Sequence, residues 1–165
     1  MISMYDVSVP VFSERLRALV IVLTKAEANA TERKIDPQVF LTARLAPDML
    51  TFTKQVQIAT DHAKGAAARL SGRELPSWPD DEKTFEDLKG RVKKALDYLS
   101  TFKPEDIDGT EDKDITLKRN GEDYTLRGED YLLGRAQMNV WFHVTTAYNI
   151  LRHNGVPLGK ADFSR

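Results

Sequence analysis

Two histidines carry the clearest potential for chemistry in this sequence. His62 and His143 lie in two different predicted helices, each beside residues expected to face a core. If these helices are neighbours, both imidazoles meet in the interior, where facing helices of a bundle build metal sites. A catalytic zinc usually has three protein ligands, but the position four residues after His143 is Ala147.

Two other side chains could complete such a site. Asp61 is the nearest carboxylate in sequence, although it points about 100° away from His62 around the helix. Gln55 lies two turns before His62. The sequence therefore favours two buried, hydrogen-bonding histidines and no cofactor. The alternative is a divalent metal site for zinc, nickel or manganese.

Four polar residues recur every seven positions near the second long predicted helix: Asp48, Gln55, His62 and Arg69. Seven residues are close to two helical turns, so these side chains follow one edge of the helix. This edge adjoins an alanine-rich apolar stripe. It is either a strip that faces a ligand or the solvated boundary of a core helix.

Aromatic and basic clusters near the C-terminal end have simpler explanations. Trp141 and Tyr148 could line a pocket with the histidines, but aromatic residues at helical spacing more often pack in a core. Arg152, Gly155 and Lys160 could bind an anion, whereas helix termination and compensation of the helix dipole explain the same residues.

The sequence has no motif for nucleotide binding or covalent catalysis. We find no phosphate-binding glycine loop, no dinucleotide fingerprint and no nucleophile elbow. Cysteine is absent, which excludes disulfides, thiolate metal ligands and cysteine nucleophiles.

The length and charge of the chain limit the number of domains and the kinds of partner. The 165 residues suit a single domain, 1–165, with a substantial core. The net charge is −1 with basic and acidic residues interspersed, so we expect no nucleic-acid partner and no membrane partner. The apolar run 18–23 is too short to span a membrane and fits a core helix better than a secretory signal. We therefore expect a cytoplasmic protein.

Four long helices must position the candidate residues. Apolar residues recur at steps of three and four over 9–30, 47–70, 84–102 and 136–155. The first predicted helix follows Ser8 as N-cap, and the second starts at Pro47. Thr84 and Asp87 resemble a capping box for the third, and Gly155 provides a left-handed C-cap for the fourth.

A β-hairpin is predicted between the third and fourth helices. Asn120-Gly121 is the strongest signal for a two-residue type I′ turn. Counting outward from the turn gives three pairs whose apolar members share one face: Arg119–Glu122, Leu117–Tyr124 and Ile115–Leu126. An isolated hairpin is marginal in water, so this one should pack on the helices. The predicted fold is an all-α four-helix bundle with a small hairpin inserted before the last long helix.

Several stretches resemble one protein family. They are Arg44-Leu-Ala-Pro-Asp-Met49, Asp61-His-Ala-Lys64, Phe142-His-Val-Thr-Thr-Ala-Tyr148, Leu151-Arg-His-Asn-Gly155 and Gly159-Lys-Ala-Asp-Phe163. The resemblance covers nearly the whole chain and is to a domain-of-unknown-function branch of the DinB/YfiT-like superfamily. It implies an up-down-down-up four-helix bundle with a long crossover, and a homodimer.

The same resemblance implies a degenerate metal site. In the wider superfamily, one histidine of the second helix and a His-x-x-x-His pair of the last long helix hold a divalent metal. Metal-bearing members include thiol-dependent transferases and related hydrolases. His62 matches the histidine of the second helix and His143 matches the first of the pair, while Ala147 stands where the second is expected.

These observations give one expected function and two alternatives. We expect a protein that binds a small ligand or a partner, with a pocket formed by His62, His143, Gln55, Asp61, Tyr148 and Trp141. One alternative is a metal-dependent transferase or hydrolase that uses a substitute ligand. The other is a structural dimerisation module.

Overall fold

The computed structural model describes residues 2–164, which are mostly helical and include one two-stranded antiparallel sheet. The long helices are α1 (Val9–Glu32), α3 (Phe52–Ser71), α4 (Phe85–Leu99) and α7 (Gln137–His153). The short helices are α2 (Pro37–Leu41), α5 (Pro104–Ile107), α6 (Gly128–Tyr131) and α8 (Lys160–Phe163). The strands are β1 (Asp114–Arg119) and β2 (Glu122–Arg127).

The long helices pack on one another through apolar stripes. α3 lies against α7 and α4, and α1 lies against α4 and α7. On α3 the buried stripe is rich in small side chains: Ala59, Ala63, Ala66 and Ala67 are fully buried. Small side chains let a neighbouring helix approach closely, because little volume separates the two backbones. This packing sets the distance between the histidine of α3 and the histidine of α7.

The second long helix begins later than the sequence predicted. α3 starts at Phe52, and the hydroxyl of Thr51 accepts a hydrogen bond from the backbone N–H of Lys54. Pro47 and Asp48 lie in the preceding loop, so the predicted start at Pro47 is wrong. The hydroxyl of Thr51 satisfies an otherwise unpaired N–H of the first turn, which favours the later start.

The last long helix begins earlier than predicted. α6, a π-helical turn (Leu132–Ala136) and α7 form one continuous helical segment from Gly128 to His153. The predicted start at Ala136 is therefore wrong. A π turn inserts one extra residue into the helix and changes where the preceding side chains point. As a result Tyr131 and Arg135 belong to this helix.

Two helix ends have the predicted caps. The Thr84 hydroxyl accepts a hydrogen bond from the backbone N–H of Asp87, and the Asp87 carboxylate accepts one from the backbone N–H of Thr84. Gly155 follows α7 with a φ of 81°. This left-handed conformation strains any residue with a Cβ, so glycine suits the position.

The hairpin has the predicted register, with Ile115 opposite Leu126. Asn120 and Gly121 both have positive φ, as a type I′ turn requires. Ile115 is buried in the common core, which attaches the hairpin to the helices. Within residues 2–164, no helix is both long and apolar enough to cross a lipid bilayer.

Candidate ligand site

The contact between α3 and α7 brings the two histidines together. The rings of His62 and His143 have centroids 5.9 Å apart and planes inclined by only 11°. His143 is buried, whereas His62 is half-buried. The two imidazoles are therefore parallel neighbours, one in the interior and one nearer the surface.

A short chain of hydrogen bonds orients His143. The side-chain amide of Gln55 donates to the backbone carbonyl of Leu50 at 3.1 Å, which leaves its oxygen facing the imidazole. That oxygen lies 2.7 Å from Nδ1 of His143. Since an amide oxygen accepts hydrogen bonds, Nδ1 of His143 carries the proton and Nε2 keeps a free lone pair. Burial lowers the pKa of His143, which keeps this ring neutral.

His62 has no such partner. No atom of residues 2–164 forms a hydrogen bond with its ring, and the side chain lines a cavity. Burial, followed by the nearby His143, Arg135 and Arg69, lowers the pKa of His62 from 6.5 to about 4 against the opposing effect of Asp61. His62 is therefore a neutral imidazole at pH 7, with one donor and one acceptor available to a ligand.

The cavity has a volume of about 570 Å³ and lies between α3, the loop after it, β1 and the segment that contains α6 and the π turn. A volume of this size is in the range of small-molecule sites. Its walls are formed by polar, charged and apolar side chains: Asp61, His62, Lys64, Arg69, Leu75, Pro76, Ser77, Trp78, Thr116, Leu117, Lys118, Tyr131 and Arg135.

A buried arginine fixes the loop that forms one wall. Arg91 of α4 is 4% exposed, donates to the carbonyl of Pro79 at 2.9 Å and pairs with Glu82 at 2.9 Å. It also pairs with Asp61 at 2.9 Å and with Asp80 at 3.0 Å. These bonds connect the loop to both α3 and α4, and so hold the neighbouring Trp78 over the cavity.

Two arginines and a tyrosine form another part of the cavity wall. The guanidinium of Arg69 donates to the hydroxyl of Tyr131 at 3.3 Å, and Tyr131 is 2% exposed. Burial raises the pKa of Tyr131, so this phenol stays neutral. The guanidinium of Arg135 lies 5.6 Å from the ring centre of Tyr124. Arg69 comes from α3, and Arg135 comes from the π turn.

The six predicted pocket residues separate into three groups. His62 and Asp61 line the cavity, and Asp61 is paired with Lys64 and Arg91. His143 and Gln55 lie directly behind His62. Trp141 and Tyr148 are not at the cavity but contact Phe163 near the C-terminal end, at ring distances of 6.0 and 5.9 Å.

Sequence reasoning missed most residues of the cavity wall, among them Trp78, Tyr131 and Arg135. Trp78 lies between Pro76 and Pro79 in the loop that joins α3 to α4, where no helical spacing shows which side chains face inward. Tyr131 and Arg135 are four residues apart, which is helical spacing, but they precede the predicted helix start. The spacing of Tyr131, Leu132, Arg135 and Ala136 is the signal that could have extended that helix.

These residues do not fit the metal site that the superfamily implies. Ala147 is fully buried and supplies no ligand, and Asp61 is already paired with two cations. Within the described part of the chain, no three His, Asp or Glu side chains are grouped so as to hold a metal ion. The positive charges of Arg69 and Arg135 beside His62 also disfavour a cation.

Comparison with known proteins identifies the family. Residues 4–164 match the family described as Domain of unknown function (DUF1993). A crystal structure of a DinB family member from Shewanella denitrificans is 40% identical in sequence, with a TM-score of 0.88 over 96% of this chain and 90% of that chain. No curated protein matches the sequence. The chain therefore belongs to the DUF1993 family, a DinB-like family of unknown function.

Proposed function

We propose that the protein binds a small molecule in the cavity beside His62, on a four-helix bundle of the DinB/YfiT type. The observation that carries this proposal is a neutral imidazole with no hydrogen-bond partner among residues 2–164, placed in the wall of a cavity of about 570 Å³. A ligand that pairs with this ring gains hydrogen bonds without displacing any made within the chain.

The surroundings of His62 support a binding role. The Gln55–His143 pair lies behind the ring at fixed distances, and Arg91 holds the loop of Trp78 in front of it. A site whose walls are already ordered loses little conformational entropy when a ligand binds. This rigidity suits recognition of a specific small molecule.

Fragment screening by ¹H–¹⁵N NMR tests the proposal. The chain has two tryptophans, Trp78 at the cavity and Trp141 elsewhere, and each gives one indole N–H signal. We expect at least one fragment class to shift the Trp78 signal saturably and to leave the Trp141 signal in place. The variant Trp141→Phe assigns the two signals.

Two hairpin variants provide a matched control. Thr116 lines the cavity and Thr125 is its cross-strand partner, which does not. Thr116→Phe should fill the cavity and weaken fragment binding at least about tenfold, whereas Thr125→Phe should bind as the parent does. A screen in which no fragment moves the Trp78 signal, or equal binding by both variants, would refute the proposal.

A metal-dependent transferase or hydrolase is the second candidate function. One observation favours it: His143 donates from Nδ1 to Gln55 and keeps Nε2 free, which is the usual arrangement of a metal-ligating histidine. Such a site would need a donor from outside the chain. Isothermal titration with zinc, nickel and manganese tests this candidate. Stoichiometric binding that His143→Ala abolishes would support it, and absence of binding would exclude it.

The homodimer and the cytoplasmic location expected from the sequence stay predictions. Sedimentation velocity at several protein concentrations tests the dimer, since a monomer keeps one sedimentation coefficient at all of them.

A further inference from the structure

The charges in the cavity indicate which class of ligand it takes. Resting on the proposed function, we propose that the cavity binds a small organic anion. Its carboxylate or phosphate group would contact Arg69 and Arg135, and its apolar part would lie against Trp78. Planar guanidinium groups recognise both kinds of anion through paired N–H donors.

Positive charge is concentrated at this site. The chain as a whole is nearly neutral, with 24 basic and 25 acidic residues. The cavity wall in contrast has four cationic side chains and one carboxylate: Lys64, Arg69, Lys118, Arg135 and Asp61. A concave site with one sign of charge attracts ligands of the opposite sign.

The single carboxylate is already neutralised. Asp61 pairs with Lys64 at 2.8 Å and with Arg91 at 2.9 Å. Lys118 pairs with Asp123 at 3.6 Å, so the positive charge of the wall that has no acidic partner within residues 2–164 is that of the two arginines.

Arg69 and Arg135 have no acidic partner within residues 2–164. Within residues 2–164, Arg69 and Arg135 form no ion pair; Arg69 bonds the neutral hydroxyl of Tyr131, and Arg135 lies over the ring of Tyr124. Half-buried guanidinium groups without a carboxylate keep their charge and most of their N–H donors for a ligand. Both arginines line the same cavity as His62, and the charge of each lowers the pKa of this ring.

The local geometry of α3 holds one of these arginines in position. A Cβ on Gly65 would lie 2.5 Å from the guanidinium of Arg69, so glycine at this position makes room for the side chain to lie across the helix. The bond to Tyr131 then fixes its far end. Arg69 is therefore ordered before any ligand binds.

The loop side of the cavity supplies the apolar surface. Trp78 is half-buried, with Lys64 3.9 Å from its ring centre and Tyr98 in an edge-on contact at 6.4 Å. Leu75, Pro76 and Leu117 extend this surface. A ligand with an anionic group at one end and an apolar or planar group at the other would match the two walls.

Titration with benzoate, phenyl phosphate and benzamide tests the anion class. Benzamide has the shape of benzoate without the charge. We expect both anions to shift the Trp78 indole signal and to bind at least about tenfold more tightly than benzamide. Because the attraction is electrostatic, added sodium chloride should weaken anion binding and leave benzamide binding unchanged.

Variants that each remove one positive charge show which arginines contact the anion. Arg69→Gln and Arg135→Gln should each weaken benzoate binding about tenfold, and Arg69→Lys should weaken it less than Arg69→Gln does. Arg17→Gln is the control, since it removes the same charge from an exposed site between α1 and α4. The spectrum of each variant shows directly whether it is folded.

The outcomes separate this inference from the proposed function. Equal binding of benzoate and benzamide would overturn the anion class and leave the proposed function intact. If Arg17→Gln weakens benzoate binding as much as Arg69→Gln does, that result would also overturn the inference, because it would show that binding depends on the overall charge of the protein and not on a contact with Arg69. If none of the three probes shifts the Trp78 signal, the anion class is refuted, and the fragment screen decides the proposed function separately.

Discussion

Replacing His62 by glutamine should make the stability of the protein less sensitive to acid. Burial first, and then His143, Arg135 and Arg69, lower the pKa of His62 from 6.5 to about 4, while Asp61 acts in the opposite direction. In the unfolded chain the same imidazole titrates near its ordinary pKa of about 6.5. The folded protein therefore resists a proton that the unfolded chain accepts.

The sign and size of the effect follow from this difference. The stability that neutral His62 contributes is complete above about pH 6.5 and is lost as the pH falls toward 4. One unit of pKa difference corresponds to about 1.4 kcal/mol, so the complete loss is about 3 kcal/mol. Near pH 4.5 most of this loss, roughly 2–3 kcal/mol, has already occurred. Glutamine does not titrate, so the variant lacks this component.

Urea unfolding followed by circular dichroism measures the effect between about pH 7.5 and about pH 4.5. The parent should lose roughly 2–3 kcal/mol more than His62→Gln over this range. His153→Gln is the matched control, since His153 is exposed at the end of α7, and it should behave as the parent. His143 is present in all three proteins, so its own titration largely cancels. Equal losses in the parent and His62→Gln, to within about 0.5 kcal/mol, would refute the reasoning.

Two further variants test the elements that shape the cavity, each by urea unfolding. Arg91→Met should lower the free energy of unfolding by roughly 2–4 kcal/mol, because Glu82, whose side chain is 10% exposed, loses its charged partner. Lys93→Met on the exposed face of α4 should change it by less than about 1 kcal/mol. Gly128→Ala should cost at least about 2 kcal/mol, because its Cβ would lie 1.9 Å from the carbonyl oxygen of Thr110. Gly134→Ala meets no atom within 4 Å and should leave the stability unchanged or raise it by up to about 1 kcal/mol, because alanine favours a helical conformation more than glycine does. Equal effects of the two glycine variants would show that the segment of Thr110, which precedes β1, can move away from α6.

The hairpin was predictable because its determinants are local. The Asn120-Gly121 turn sets the register, and the alternation of apolar residues along both strands agrees with it. The caps at Thr84 and Gly155 were predictable for the same reason, since each depends on residues within one helical turn.

The starts of two long helices were harder to predict than the caps. At the second long helix, two local signals competed. Pro47 is a good first residue for a helix, but Thr51 supplies a side-chain acceptor that Pro47 lacks. At the last long helix, Gly134 weakens the helical pattern, and the π turn shifts the apolar spacing by one residue. The pattern therefore became regular only from Ala136 onward.

The cavity was only partly predictable, because it depends on contacts between distant parts of the chain. The apolar spacing of two helices was enough to expect that His62 and His143 face inward. The same spacing could not show that Arg91 draws the loop of Trp78 over α3. Nor could it show that Trp141 turns toward Phe163.

The arginines beside the histidines favour an anionic ligand over a divalent metal ion. A divalent ion at His62 would be repelled by the same charges of Arg69 and Arg135 that lower the pKa of this ring, whereas an anion would be attracted by them. Ala147 acts in the same direction, because its buried methyl group offers no metal ligand one turn after His143. The two features are independent, since one concerns the number of ligands and the other the electrostatic potential. A neutral imidazole can donate its N–H to an anion without first losing a proton, so the depressed pKa of His62 is itself compatible with anion binding.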